Sequence, residues 1–127
     1  MQNWKNFLLK GAKLKQFNYV KGKKNEQLAY EYLKKRKYKI LEINYVNAIG
    51  EIDIIAKDKN AIVFVEVKFR ESAAFGYPME AVDVRKQNKI RRVATIYLKQ
   101  NSLFDEEIRF DVLSVLGEEI THIENAF

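Results

Sequence analysis

Two alternating apolar segments, separated by three polar residues, constrain this chain more than anything else in it. Residues 51–57 set Glu51, Asp53 and Ile55 on one side and Ile52, Ile54 and Ala56 on the other. Residues 61–70 set Val63, Val65, Val67 and Phe69 against Ile62, Phe64, Glu66, Lys68 and Arg70. Asp58-Lys59-Asn60 between them reads as a tight turn. The two runs therefore form a hairpin. Their density of Ile, Val and Phe is that of central strands buried on both faces.

Carboxylates in such strands are costly unless paired or bound to a metal. A turn at Asp58-Lys59 pairs Asp53 with Phe64, and a turn at Lys59-Asn60 pairs Asp53 with Glu66. Either register keeps Asp53, Glu66 and Lys68 on one face. Opposed Cβ atoms lie about 4.5–5.5 Å apart and diagonal ones about 7–8 Å, so the two carboxylates converge. The structural reading is a salt-bridged sheet with one solvated face, in which Lys68 and Arg70 neutralise the acids. The functional reading is a site for Mg²⁺ or Mn²⁺, which take hard oxygen ligands. Asp53, Glu66 and the backbone carbonyl of Val67 would supply those oxygens, and Lys68 would orient a water or steady developing negative charge.

The remaining pattern places this hairpin in a mixed domain. Residues 24–37 are helical, with Leu28, Ala29, Tyr32 and Leu33 as the apolar stripe. At 100° per residue Glu26 points near Ala29, Tyr30 and Leu33, hence toward the protein; the alternative is an acid that complements the helix dipole. Residues 38–46 form a first strand, followed by a turn at Asn47-Ala48-Ile49-Gly50. Residues 84–100 form a second helix, because Ile90, Val93, Ala94, Tyr97 and Leu98 recur at helical spacing. Strands over 108–115 and 120–123 complete the chain. Alternating helices and strands predict an α/β or α+β class with helices flanking one sheet. The lone histidine, His122, is expected at the surface or at a strand end, without a catalytic role.

Composition narrows the function. The 127 residues fit one domain, with no repeat and no low-complexity linker. The absence of cysteine excludes disulfides, zinc ribbons and thiol nucleophiles, and a reducing cytoplasm is the expected location. Residues 1–40 carry twelve Lys/Arg against two acids, whereas residues 41–80 carry four against seven. A basic front beside an acidic middle suits a polyanion gripped around a cation site, although the same lysines would also serve solubility. Lys23, Lys24, Arg70, Arg85, Lys86, Lys89 and Arg92 are the candidate phosphate contacts. No stretch approaches the roughly 20 apolar residues of a membrane span. Residues 1–21 read as a basic extension, helical or partly ordered, ahead of a single domain over 22–127.

Asp53 followed by Glu66-Val67-Lys68 resembles the D…(E/D)xK signature of the PD-(D/E)xK nucleases. Its surroundings, Gly50-Glu51-Ile52-Asp53-Ile54-Ile55-Ala56 and Val63-Phe64-Val65-Glu66-Val67-Lys68-Phe69-Arg70, resemble the YraN family of uncharacterised endonuclease-like proteins. Glu26 with Leu28-Ala29, Asn44, Phe75-Gly76, Ala81-Val82 with Lys86, Arg109-Phe110-Asp111-Val112 and the ending His122 to Phe127 extend the match over residues 22–127. The pattern departs at Asn25, where a glycine is expected, and at Val46, where an arginine is expected. The second departure bears on one phosphate or ion-pair contact and on none of the metal ligands.

The resemblance implies a three-layer restriction-endonuclease-like α/β fold, with a central mixed sheet flanked by helices in the core order αβββαβ. It places Glu26, Asp53, Glu66 and Lys68 at active-site positions, with Glu26 or Glu51 as a further metal ligand. The implied activity is Mg²⁺- or Mn²⁺-dependent hydrolysis of DNA, ahead of RNA, on branched or damaged structures. A non-catalytic nucleic-acid-binding module on the same fold is the alternative, and a homodimer is an expected assembly.

Overall fold

The computed structural model describes residues 23–70 and 82–127. The basic extension over residues 1–21 and the loop holding Pro78 lie outside the described residues. Helix α1 is Lys23–Lys35, strand β1 Lys39–Val46, β2 Glu51–Asp58 and β3 Ala61–Arg70. Helix α2 is Val84–Gln100, β4 is Glu107–Leu116 and β5 is Glu119–Ile123. The sheet order is β1-β2-β3-β4-β5. All neighbours are antiparallel except β3 and β4, which run parallel on either side of the α2 crossover. The β3–β4 pairing takes in all ten residues of β3, from Ala61↔Glu107 to Arg70↔Leu116.

Each helix buries its stripe on a different face, so the sheet is the middle of three layers. Ala29 and Leu33 of α1 pack on Ile54, Ala56, Val63, Val65 and Leu113. Ile90, Val93, Ala94, Tyr97 and Leu98 of α2 pack on Ile52, Ile55, Ile62, Phe64 and Val112. The mixed α/β architecture expected from the sequence is therefore present. As the middle strand, β3 is apolar toward both helices. Phe64 is fully buried, stacked on Phe110 and edge-on to Tyr97.

Local chemistry fixes the helix ends. The Asp83 carboxylate caps α2 by accepting from the Lys86 N–H at 2.9 Å. Both helices end in the left-handed cap that satisfies orphan carbonyls. After α1, Lys37 takes φ 72° and the Tyr38 N–H donates to the Leu33 carbonyl. After α2, Ser102 takes φ 54° and the Leu103 N–H donates to Leu98. Neither left-handed position is a glycine, so the strongest C-cap signal is missing at both helices.

The hairpin turn is Lys59-Asn60, because Asp58 pairs with Ala61. One expectation fails in β2. Ile52 packs under α2 while Ile54 packs under α1, so they do not share a face. The same reversal occurs in β1, where Ile43 packs with Tyr30 of α1 and Tyr45 with Tyr97 of α2. The β1–β2 register pairs Ile43 with Ile54 and Tyr45 with Ile52, which sets Asn44 opposite Asp53. Asn44 has φ 53°, in the left-handed region that asparagine tolerates. Both strands thus turn over at one pair, and one member of that pair is Asp53.

Candidate active site at the hairpin fork

The β2–β3 ladder runs from Asp58↔Ala61 to Ile54↔Val65 and stops there. Continued by one step, it would set Asp53 opposite Glu66. Beyond Ile54 the Val67 N–H donates to Asp53 Oδ2 at 2.8 Å rather than to a β2 carbonyl. The side chain of Asp53 therefore fills the fork where the two strands part. The register is the one that opposes the two carboxylates, and it brings them within hydrogen-bonding reach of each other.

The electrostatics of this pair are strained. Glu66 is buried and Asp53 half-buried. Burial, followed by the charge of Glu66, raises the Asp53 carboxyl well above the ordinary aspartate value, and the Val67 N–H offsets only part of this. Glu51 adds a smaller push in the same direction. Lys86 Nζ lies 3.2 Å from Glu66 Oε2, and the charge of Glu66 raises the Lys86 pKa despite its partial burial.

Two concavities adjoin the pair. A cavity of ≈ 40 Å³ is lined by Glu26, Ala29, Asn44, Asp53, Ile54, Val67 and Phe69. It has room for about one or two waters, and Glu26 and Asp53 are the acids in its lining. Burial alone pushes Glu26 up to about 7. An open groove of ≈ 330 Å³ is lined by Val46, Gly50, Glu51, Lys86, Lys89 and Ile90. Gly50 forms its tight wall: a Cβ there would meet Lys89 Cε at 3.0 Å and Val93 Cγ2 at 3.4 Å. Asn47 holds this turn by accepting from the N–H groups of Ile49 and Gly50. Val46, which stands where an arginine was expected, is 64% exposed in the groove.

The donor set suits Mg²⁺ or Mn²⁺. When both are ionised, two convergent carboxylates with one ammonium paired to Glu66 carry net negative charge in a partly dry site. Mg²⁺ characteristically takes one or two carboxylates and completes its shell with water and substrate oxygens. No three His, Cys, Asp or Glu side chains among the described residues are grouped to hold an ion without such help. Glu26 shares a cavity with Asp53, and Glu51 lines the groove on the α2 side. Lys68, two residues beyond Glu66 on β3, is half-buried and paired in the ladder with Ser114.

The predicted phosphate contacts separate into groups. Arg85, Lys89 and Arg92 are exposed on α2, at spacings of four and three residues that align them along one side. Lys86 is turned to Glu66. Arg70 closes β3 on the same strand as Glu66 and Lys68, and Lys23 and Lys24 open α1. Arg91, the remaining cation of this part of α2, lies over the rings of Phe110 and Phe127 and packs the C-terminus.

A second charged cluster escaped the sequence reading. Asp111 is fully buried and accepts from Arg109 Nε and Nη2 at 2.9 Å each, and from the Asn125 N–H at 3.0 Å. His122 Nε2 lies 2.7 Å from its other oxygen. Burial would raise the Asp111 carboxyl, but hydrogen bonds from His122, Arg109 and Asn125 outweigh it and hold the group below its ordinary value. Arg109 also reaches Asp58 and the Tyr38 hydroxyl. The expectation of a surface His122 is therefore corrected: its side chain is 6% exposed, against Tyr32 and Tyr38. The available signal was Arg109 and Asp111, opposite charges on one face of a strand. Its partner in β5 could not be inferred without the register.

Comparison with known proteins matches residues 25–115 to the model of "Uncharacterised protein family UPF0102". A UPF0102 protein of Persephonella marina is 44% identical over 111 residues, covering 87% of this chain and 96% of the relative. One of Clostridioides difficile is 50% identical over 112 residues, covering 87% and 98%. One of Alkaliphilus oremlandii is 52% identical over 108 residues, covering 80% and 92%.

Proposed function

Taking as premise that the chain belongs to the uncharacterised protein family UPF0102, we propose that it is a Mg²⁺- or Mn²⁺-dependent nuclease that hydrolyses phosphodiester bonds in DNA. The observation that carries this reading is the fork itself. Two carboxylates converge where the central hairpin opens, at a cost to the metal-free fold, with Lys68 one alternation further along the same strand. The resemblance of Asp53…Glu66-Val67-Lys68 to the PD-(D/E)xK signature supports the same chemistry.

Asp53 and Glu66 would hold the ion, with the Val67 carbonyl as a backbone ligand. Bound there, the ion supplies Lewis acidity toward the phosphate and lowers the pKa of a coordinated water. The Val67 N–H fixes one Asp53 oxygen, and the other would remain to hold the ion. Lys68 steadies the charge that develops on the phosphate or orients the attacking water. Glu26 holds water across the small cavity from Asp53. Arg85, Lys89 and Arg92 grip the flanking backbone, a role that also fits the second reading, a non-catalytic binding module.

The test is cleavage of single-stranded, duplex and branched DNA with Mg²⁺ or Mn²⁺, alongside binding measured in chelator. Asp53→Asn, Glu66→Gln and Lys68→Ala should each lower cleavage by at least about 10²-fold while binding persists. Cleavage by all three variants at the wild-type rate would remove the site. Binding without cleavage on every substrate would favour the module.

A further inference from the structure

Lys86 occupies a place that helix stability does not explain. It lies in the first turn of α2, where the helix dipole favours acids over cations. That turn carries no acid at all, and Arg85 stands beside Lys86. The ammonium is held there by Glu66, 3.2 Å away, whose side chain is 8% exposed while that of Lys86 is 49% exposed. A buried carboxylate beside a second one requires a counter-charge, and among the described residues the ion pair that supplies it to Glu66 is the one with Lys86. The lysine is also free to leave. It has a flexible four-carbon stem, and it already lines the ≈ 330 Å³ groove that it shares with Lys89.

We propose that Lys86 is a resident counter-ion of the Asp53–Glu66 pair, which a divalent cation must displace and which then turns into the groove beside Lys89 to meet a substrate phosphate. The inference rests on the metal-centre reading above and adds a competition to it. The metal-free protein keeps its carboxylates neutralised by a tethered monovalent cation. Loading exchanges that cation for a divalent one and frees an ammonium next to the scissile position. Lys86 is thereby a positioning residue that couples metal loading to phosphate contact.

Competition predicts an order of affinities that a purely structural salt bridge does not. Titration calorimetry with MnCl₂ alone would be run on the full chain: wild type, Lys86→Met, Lys86→Arg and Asp53→Asn/Glu66→Gln. Removing the competing ammonium, 3.2 Å from Glu66 Oε2 in the metal-free protein, spares the ion the breaking of a charge-assisted bond and should tighten Mn²⁺ binding on the order of tenfold in Lys86→Met. Arginine grips a carboxylate through two parallel N–H bonds, so Lys86→Arg should weaken binding several-fold. Mn²⁺ binding that is unchanged or weaker in Lys86→Met, while the double carboxylate variant abolishes it, overturns the counter-ion role and leaves the metal centre standing. Binding absent from wild type and Lys86→Met alike overturns the metal centre, and this inference with it. Lys86→Gln repeats the measurement if the methionine variant does not fold.

Discussion

Asp53→Asn should stabilise the metal-free protein at alkaline pH, the reverse of what removing a buried hydrogen-bonding carboxylate ordinarily does. Asp53 sits beside Glu66, and its folded pKa is raised above the ordinary 3.8 by burial and by that neighbour. A carboxyl so raised favours folding below pH 3.8 and opposes it progressively as pH climbs through the folded value. Two carboxylates about 4 Å apart repel by about 4 kcal/mol at an effective dielectric of 20. Lys86 offsets part of this through Glu66. Asparagine keeps an oxygen for the Val67 N–H, so the variant loses only the charge assistance of that bond, about 1 kcal/mol. The net expectation at pH 9 in chelator is a gain of about 1–3 kcal/mol. In a domain of this size that raises Tm by roughly 3–4 °C per kcal/mol. At pH 4, where Asp53 is already protonated, the gain should vanish. Saturating Mn²⁺ should reverse the order, since only the wild type gains from binding, by about 4.1 kcal/mol at a thousandfold excess over Kd. Thermal unfolding followed by circular dichroism at the two pH values, with and without Mn²⁺, reads all of this. An Asp53→Asn variant destabilised equally at pH 4 and pH 9 would falsify the claim that the fork is strained in the absence of a cation.

The cluster around Asp111 should behave oppositely. Asp111→Asn presents an amide to Arg109 and should cost about 3–5 kcal/mol at pH 7, measured by urea unfolding. Because the folded pKa of Asp111 is lowered, that stability is present above pH 3.8 and fades as pH falls through the folded value, so wild type and variant should converge in acid. Glu26, raised to about 7 by burial, opposes folding as pH rises from 4.5 through 7. After allowance for its partial exposure, Glu26→Gln should stabilise the metal-free protein by about 1 kcal/mol at pH 8.5 and by little at pH 4. An equal effect at both pH values would remove Glu26 from the strained set. Replacing Arg85, Lys89 and Arg92 together by alanine should reduce the slope of log K for DNA against log salt by roughly 2–3, read by fluorescence anisotropy in chelator. An unchanged slope would place the backbone contacts elsewhere.

Much of the architecture was legible because its signals are periodic. Residues 61–70 and 84–100 take the expected bounds, since alternation in β3 and the 3.6-residue stripe of α2 each persist long enough to be read from one strand or helix alone. The convergence of Asp53 with Glu66 was legible because one of the two registers open to the hairpin, the turn at Lys59-Asn60, leads to Asp53 opposite Glu66, although the same-face argument itself fails at the reversal. What could not be read depends on the third dimension. The reversal at Asn44 and Asp53 breaks alternation in two strands at once, and no side-chain pattern announces a positive φ at asparagine. Lys86 reads as one more surface cation until α2 is laid against β3, and His122 reads as a strand-end polar residue until β5 is registered on β4.

Set side by side, the two buried acid clusters separate structural from functional charge by how completely each is satisfied. Asp111 is surrounded by donors: a guanidinium through two bonds, an imidazole and a backbone N–H, which together drive its pKa down despite full burial. Such a group ties β4 to β5 and to the C-terminal residues, and its ionised form belongs to the folded state. Asp53 lies in the same sheet with one backbone N–H, a carboxylate for a neighbour and a borrowed ammonium, and its pKa is driven up. Replacing Glu66 by a neutral residue would relieve that repulsion with little loss of packing, yet here the acids stand where the central hairpin opens to a groove. A stability-driven arrangement would complete the shell from within, as it does at Asp111. The fork leaves its shell to be completed from outside, which supports the metal-centre reading proposed above.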